Sequence, residues 1–253
     1  MIICDWEKLP LEMRNDSVRE YYDVLQKKKV SLVLKRLFDI VVSFIMLLIL
    51  LPVFLIIAIA IKIDSEGPVF YRQVRVTQYG REYRIFKFRT MVTDADKYAK
   101  VTVDKDSRIT KVGSKIRKFR LDEICQLIDI LRGTMSFVGA RPEIPYYVDK
   151  YSDEMLATLL LPAGVTSLAC IYYKDESKIL GSAENADEVY VEKILPCKMH
   201  YNLNEIRNFS FWHDIKIMFM TVFAVLGKEY TNDYVSCNEE DSTKFITESE
   251  SVK

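Results

Sequence analysis

The stretch 40-IVVSFIMLLILLPVFLIIAIAI-61 carries no charge from end to end and holds one proline, Pro52, near its middle. A straight helix of this length, at about 1.5 Å per residue, just reaches across a ~30 Å hydrocarbon core. Lys27, Lys28, Lys29, Lys35 and Arg36 precede the run, and Lys62, Arg72 and Arg75 follow it. Cytoplasmic segments next to a membrane helix are enriched in Lys and Arg, so both ends favour the same side. Proline removes a helix hydrogen bond and crowds the preceding turn, which makes Leu51-Pro52 a natural place for the chain to bend back. Two arrangements satisfy these residues: a re-entrant hairpin of two half-helices, or a single span kinked at its proline.

Outward from this run the charge is uneven. The whole chain balances 36 Lys and Arg against 36 Asp and Glu. Lys62 to Arg120 nevertheless holds sixteen basic and seven acidic residues, a balance of +9, and Thr231 to Lys253 holds two against six, a balance of −4. A basic stretch beside a membrane segment suits anionic lipid head groups or phosphorylated ligands. Nucleic acid is not expected, because no zinc-finger spacing or RNA-binding signature accompanies the charge. The cysteines, Cys4, Cys125, Cys170, Cys197 and Cys237, lie far apart, lack metal-site spacing and read as reduced thiols. The apolar run starts too deep and has no small-residue cleavage site, which excludes a secretory signal.

Four segments follow. Residues 1–34 read as a polar N-terminal appendage with a helix over Ser17–Lys29, Ser17 as its cap and Glu20 three positions on. Residues 35–63 read as the membrane segment, a re-entrant hairpin or a kinked span. Residues 64–230 form a cytoplasmic domain, and the acidic, Ser/Thr-rich residues 231–253 form a disordered tail. Within the domain, VFYRQVRV and REYRIFKF flank Gly80 and predict a β-hairpin with its arginines on one face. A helix is expected from Thr93, with Asp94 and Asp96 in its first turn, and another after Leu121 with Ile124, Leu127, Ile128 and Leu131 at core spacing. FWHDIKIMFMTVFAVLG, Phe211 to Gly227, suits a helix at the membrane interface or in the core. The fold class is therefore α+β, mostly helical.

Dinucleotide, phosphate-loop and nucleophile-elbow motifs are missing, and only His200 and His213 are available for histidine chemistry. Three segments gather cations near fixing features: KFRTM (Lys87 to Met91), RKFRLDE (Arg117 to Glu123) and VGARPEIP (Val138 to Pro145). Converging arginines grip phosphate oxygens bidentately. Asp122 and Glu123 fit such a surface if a divalent cation bridges them to phosphates or if one attacks phosphorus. They fit equally as acids that cap a helix and pair with Arg117 and Arg120. An Asp94-Ala95-Asp96 metal motif of an ordinary nucleotide-sugar glycosyltransferase is a lesser alternative, distinguished by release of a nucleoside diphosphate.

KRLFDIVVS, GPVFYRQVRVTQYGREYRIFKFRTM, DEICQLIDILRGTMSFVGARPEIP and PAGVTSLA, in that order from Leu34 to Gly227, resemble the bacterial sugar transferase family, the monotopic polyprenyl-phosphate phosphoglycosyl transferases. The length resembles the small form, which has only the re-entrant helix-break-helix, with Leu51 and Pro52 at the break, and a catalytic domain with interfacial amphipathic helices. The resemblance implies transfer of a sugar 1-phosphate from a nucleotide (UDP) sugar to polyprenyl (undecaprenyl) phosphate, starting assembly of an exopolysaccharide, capsule, O-antigen or glycoprotein glycan. It implies Asp122 as the nucleophile that forms a covalent phosphosugar intermediate, Glu123 as a catalytic partner that helps hold Mg²⁺ or handles a proton, and Mg²⁺ held by Asp122 and Glu123. Lys87, Arg89, Arg117, Arg141 and Lys174 become substrate-binding cations. The implied place is the bacterial inner membrane, with the catalytic domain facing the cytoplasm. The chain departs from the family where Leu51 replaces a serine and where Cys170 to Asp175, CIYYKD, replaces Gln-Val-Asn-Gly-Arg-Asn, so Lys174 stands for an arginine. An inactive, lipid-binding membrane scaffold is the alternative that these departures raise.

Overall fold

The computed structural model describes residues 3–93, 108–174, 176, 180 and 185–230. The first long elements are helix α1 (Asp16–Gln26) and helix α2 (Lys29–Asp64). Asn15, rather than Ser17, caps α1 by accepting a hydrogen bond from the Val18 N–H at 2.8 Å. The N-terminal segment is not an appendage. Leu9, Met13, Val18, Tyr21 and Leu25 are buried against Leu160, Leu203 and Phe209 in the largest core cluster. Its polar composition belongs to the outward side, while the apolar residues recur at helical spacing and turn inward.

Helix α2 stays helical through Pro52, so the expected helix-break-helix is one unbroken helix. Its buried residues, Leu32, Lys35, Asp39, Ser43, Ile57 and Ile61, form a stripe. The half-buried Leu47, Leu50, Val53 and Phe54 continue that stripe on both sides of the proline. The opposite side is apolar yet open: Leu48 is 59% exposed, Ile49 69%, Ile56 66% and Ile63 82%. It is the one helix among the described residues long and apolar enough to cross a membrane.

Strands β1 (Phe70–Val76) and β2 (Glu82–Phe88) form the expected antiparallel hairpin, with Phe70 opposite Phe88 and Val76 opposite Glu82. Tyr79 and Gly80 take φ of 61° and 70° in the turn. The arginines do not share a face. Alternation puts Arg75 and Lys87 on one side of the ribbon and Arg72 and Arg84 on the other. Next come α3 (Lys111–Lys118), a 3₁₀ turn (Leu121–Gln126) and α4 (Leu127–Arg132), in place of one helix after Leu121. Leu127, Asp129 and Ile130 are the residues α4 buries.

A parallel pair that the sequence reading did not anticipate joins β3 (Met135–Val138) to β4 (Ala163–Thr166). A Cβ on Gly164 would lie 2.2 Å from the backbone of Gly139, so the two chains approach as only glycine allows. The remaining α-helices among the described residues are α5 (Pro145–Val148), α6 (Leu168–Tyr172), α7 (Ala186–Val189), α8 (Leu195–Arg207) and α9 (Phe211–Val225), the last capped by Ser210. The architecture is mostly helical with two small sheets. Cys4, Cys125 and Cys170 are free thiols. The helix expected from Thr93, with Asp94 and Asp96, the acidic tail and Cys237 lie outside the described residues.

Candidate active site

The site is built where the segment after α3 turns back under the hairpin. Phe119 ends α3, and Arg120 takes a left-handed φ of 53°, its N–H bonded to the Arg117 carbonyl at 3.0 Å. This reversal starts the 3₁₀ turn that carries Asp122 and Glu123. The buried Cys125 thiol donates to the Asp122 carbonyl at 3.4 Å and steadies the turn.

Glu123 sits between two cations brought from distant elements. Lys87, at the end of β2, donates to its Oε1 at 3.0 Å, and Arg141 grips both carboxylate oxygens, with Nη1 to Oε2 at 3.3 Å. Arg141 is placed by the backbone around it. The Ala140 carbonyl accepts from Gly164 at 2.8 Å, the Pro142 carbonyl from Arg75 at 3.0 Å, and the Glu143 carbonyl from Val76 at 2.9 Å. Beneath that loop the buried Glu143 carboxylate accepts from Tyr190 and faces Lys198 at 3.5 Å.

The electrostatics follow from burial and from these partners. Burial raises the Asp122 pKa, and the neighbouring Glu123 charge raises it further, against Lys87 and Arg117. Burial would raise Glu123 as well, but Arg141 and Lys87 outweigh it and hold its carboxyl well below the ordinary range. Burial pushes the Lys87 ammonium down, which Glu123 opposes. The result is one carboxylate locked between cations and a second, Asp122, without an ion pair among the described residues. A desolvated carboxylate with a raised pKa is a better nucleophile than a surface one.

Of the expected site residues, Asp122, Glu123, Lys87 and Arg141 come together, Arg117 acts on Asp122 through its charge, and Lys174 lines the adjoining cavity. Arg89 does not join them. It is 5% exposed, and its guanidinium donates to the Ser65 and Glu66 carbonyls and to the Ser65 hydroxyl, tying β2 to the end of α2. The strand ends at Phe88, so the alternation that aims Lys87 at the site no longer governs Arg89. Asp94 and Asp96 lie outside the described residues.

No group of three or more His, Cys, Asp and Glu gathers among the described residues. Magnesium is commonly held by one or two carboxylates together with substrate phosphates. Asp122 fits that pattern, whereas Glu123, with both oxygens engaged by Lys87 and Arg141, does not fit as a direct ligand.

Two side chains that the sequence reading counted as a basic flank serve inside the protein. Lys35 is buried, donating to Asp214 of α9 at 2.5 Å and to the Val138 carbonyl at 2.7 Å. Arg36 donates to the Ile130 and Leu131 carbonyls at the end of α4, at 2.7 and 2.9 Å. With Asp39, which accepts from the Phe137 N–H at 3.2 Å, they fasten α2 to the strand and helix that present the site. Their spacing at 35, 36 and 39 marks one helix face, the signal that would have identified them.

A family description of bacterial sugar transferases matches residues 30–228. A UDP-N-acetylgalactosamine-undecaprenyl-phosphate N-acetylgalactosaminephosphotransferase of Aeromonas hydrophila is 34% identical over 197 residues, 76% of this chain and 44% of its own. A UDP-glucose:undecaprenyl-phosphate glucose-1-phosphate transferase of Escherichia coli K12 is 36% identical over 217 residues, 84% of this chain and 44% of its own. An uncharacterized sugar transferase of Bacillus subtilis is 31% identical over 198 residues, 78% of this chain and 90% of its own. The chain thus spans less than half the length of the first two relatives and matches most of the third.

Proposed function

The chain belongs to the bacterial sugar transferase family, and from that premise we propose that it transfers a sugar 1-phosphate from a UDP-sugar to undecaprenyl phosphate, releasing UMP. The observation that carries this reading is the unequal carboxylate pair, with Glu123 fixed by Lys87 and Arg141 and Asp122 half-buried without an ion pair among the described residues.

In the first step an Asp122 carboxylate oxygen attacks the β-phosphorus of the donor. The new oxygen–phosphorus bond forms as the bridge to the α-phosphate breaks, and the nucleoside monophosphate leaves with that oxygen. In the second step a phosphate oxygen of the acceptor attacks the same phosphorus, the Asp122 bond breaks, and the carboxylate is regenerated. Splitting the transfer into two displacements predicts ping-pong kinetics. Arg141 and Lys87 oppose charge on the phosphates, with Arg117, Arg120 and Lys174 around them, and Glu123 holds the first two in register. Asp122 would hold Mg²⁺, which would supply further neutralisation of the phosphate charge.

We place the protein at the cytoplasmic face of the bacterial inner membrane, as a monotopic enzyme. Support comes from α2: Arg36 near its start and Ile57 and Ile61 near its end all pack on the same domain. A helix crossing the bilayer would hold those ends on opposite sides. Replacing Asp122 with Asn in the full-length protein should abolish UMP release from UDP-sugar and undecaprenyl phosphate, and undiminished turnover would sink the mechanism. A panel of UDP-sugars identifies the donor. Mass spectrometry of the trapped enzyme should show a phosphosugar on Asp122, which excludes an inactive scaffold.

A further inference from the structure

Arg141 and Lys174 both line the cavity of about 320 Å³ that Glu123 also lines, and neither lies in a helix or strand that would fix it. We propose that Lys198, on α8, is the positioning residue that keeps these two cations in register. It clamps Glu143, two residues past Arg141, to Glu176, two residues past Lys174. The inference rests on the transfer reading above and adds to it a residue that acts through others.

Lys198 is 4% exposed. Its ammonium donates to Glu176 Oε2 at 3.1 Å and to the Tyr190 hydroxyl at 3.1 Å, and lies 3.5 Å from Glu143 Oε1. Tyr190 in turn donates to that same Glu143 oxygen. Arg75 lies 3.9 Å from the other one, so two cations offset two carboxylates. Burial by itself would push the Lys198 ammonium down, but Glu143 and Glu176 outweigh it and raise its pKa, which keeps the clamp charged.

The helix is shaped for this contact. Helix α7 runs into α8 through a π-helical turn, Tyr190–Ile194. Eight positions along a regular α-helix lie about 80° apart around the axis, which would aim Tyr190 and Lys198 at different neighbours. The wider turn brings them onto one face.

Stability alone does not account for such an arrangement, because apolar residues of the same volume often match or exceed a buried ion pair. The two ends of the clamp differ in a way that shows what it holds. The loop around Arg141 is already fixed through the carbonyls of Ala140, Pro142 and Glu143. Glu176 has a turn hydrogen bond from its N–H to the Tyr173 carbonyl at 3.1 Å, and its side chain reaches across to Lys198. The clamp therefore docks the Lys174 segment onto a loop that is already rigid.

The test reads UDP affinity by calorimetry on the full chain in detergent micelles, a measurement that needs no turnover. The Glu176 charge reaches Arg141, so by charge alone Glu176→Gln should tighten binding of the anionic UDP. Loss of the clamp should weaken it instead, by about tenfold. In a Lys174→Ala background the same change should cause no further loss, because the cation that it positions is gone. Unchanged or tighter binding for Glu176→Gln, or an equal loss in both backgrounds, would overturn the proposal. Lys198→Met should reproduce the loss and Lys198→Arg, which keeps the charge, should restore most of it; an arginine no better than methionine would also overturn the clamp. Should Lys198→Met fail to fold, the Glu176 measurements decide, since that side chain is half-buried and its change removes one partner only. Unmodified protein that binds UDP but releases no UMP from UDP-sugar and undecaprenyl phosphate would count against the transfer reading, and the Glu176 measurements would still decide the clamp.

Discussion

Glu123 is the residue whose role is easiest to misjudge. It is adjacent to the proposed nucleophile and invites a share in the chemistry, yet both of its oxygens are occupied by Lys87 and Arg141. Its work is to hold two cations that would otherwise repel one another beside Asp122. The sign of its effect on Asp122 can be worked out. Burial raises the Asp122 pKa first, and the Glu123 charge adds to it. Asp122 must be ionised to attack, so UMP release should climb with pH through that raised value. Glu123→Gln removes the like charge and releases Lys87 and Arg141, and both changes favour ionised Asp122. The acid limb of the pH–rate profile for the burst of UMP should therefore move down by about one pH unit, while the rate falls about a hundredfold as the cations lose their register. A limb that stays in place or moves up would remove Asp122 as the group that titrates. Glu123, Asp122, Lys87 and Arg141 were legible in the sequence because each lies in a short motif rich in charge. Arg89 was misread because nothing in KFRTM tells which residue ends the strand.

At the scale of elements, helix α2 is fastened by buried polar contacts rather than by apolar packing alone. Lys35 and Asp214 are 179 positions apart, so the pair that locks α2 to α9 could not be seen in the sequence, although each residue stood out as a charge in an apolar run. Local patterns fared better. The hairpin was legible from period-two alternation around Gly80, and α9 from its aromatic start, whereas β3 and β4, at four residues each, are too short to rise above their surroundings. Lys35→Met leaves Asp214 buried without its partner and should cost about 3–5 kcal/mol, read as a lowered Tm in detergent micelles. The double variant Lys35→Met, Asp214→Leu should recover most of that loss, and a double variant no better than the single one would show that the pair is not the fastening. Glu205 of α8 lies close by, and burial raises its pKa from 4.5 to about 8, against its hydrogen bond from the Leu168 N–H. A carboxyl raised in this way contributes stability that is fully present below the unfolded value and lost as pH rises through the folded one. Tm should therefore decline as pH rises from 4.5 to about 8 and level off above it, and Glu205→Gln should flatten the decline. A parallel loss in both proteins would assign the pH dependence elsewhere.

For the whole molecule, the apolar outer side of α2 and the way its ends are held require each other. A water-soluble protein rarely leaves so continuous an apolar surface open, and Trp212, Phe219 and Leu226 of the α9 segment extend it at 76%, 62% and 77% exposure. Yet this helix is not a free-standing span. Lys35 and Arg36 bind β3 and α4, Leu47 and Leu50 pack with Ile85 and Ile130, and Ile57 and Ile61 pack with Phe88, Ile116 and Cys125. The proposed monotopic placement rests on one domain touching the helix from end to end, with Pro52 exposed on the side away from that domain. The basic flank also changes meaning. Lys35 and Arg36 are spent inside the protein, so Lys27, Lys28 and Lys29, with Lys62 at the far end, remain exposed to meet head groups. Single cysteines placed at Lys28 and at Glu66, the exposed positions bracketing α2, should resist an impermeant maleimide added to intact cells and should react once the membrane is opened. A cysteine at Leu51 should stay unreactive in both conditions, because lipid covers it. Labelling of either end from outside would mean that α2 crosses the bilayer, and would overturn the monotopic placement.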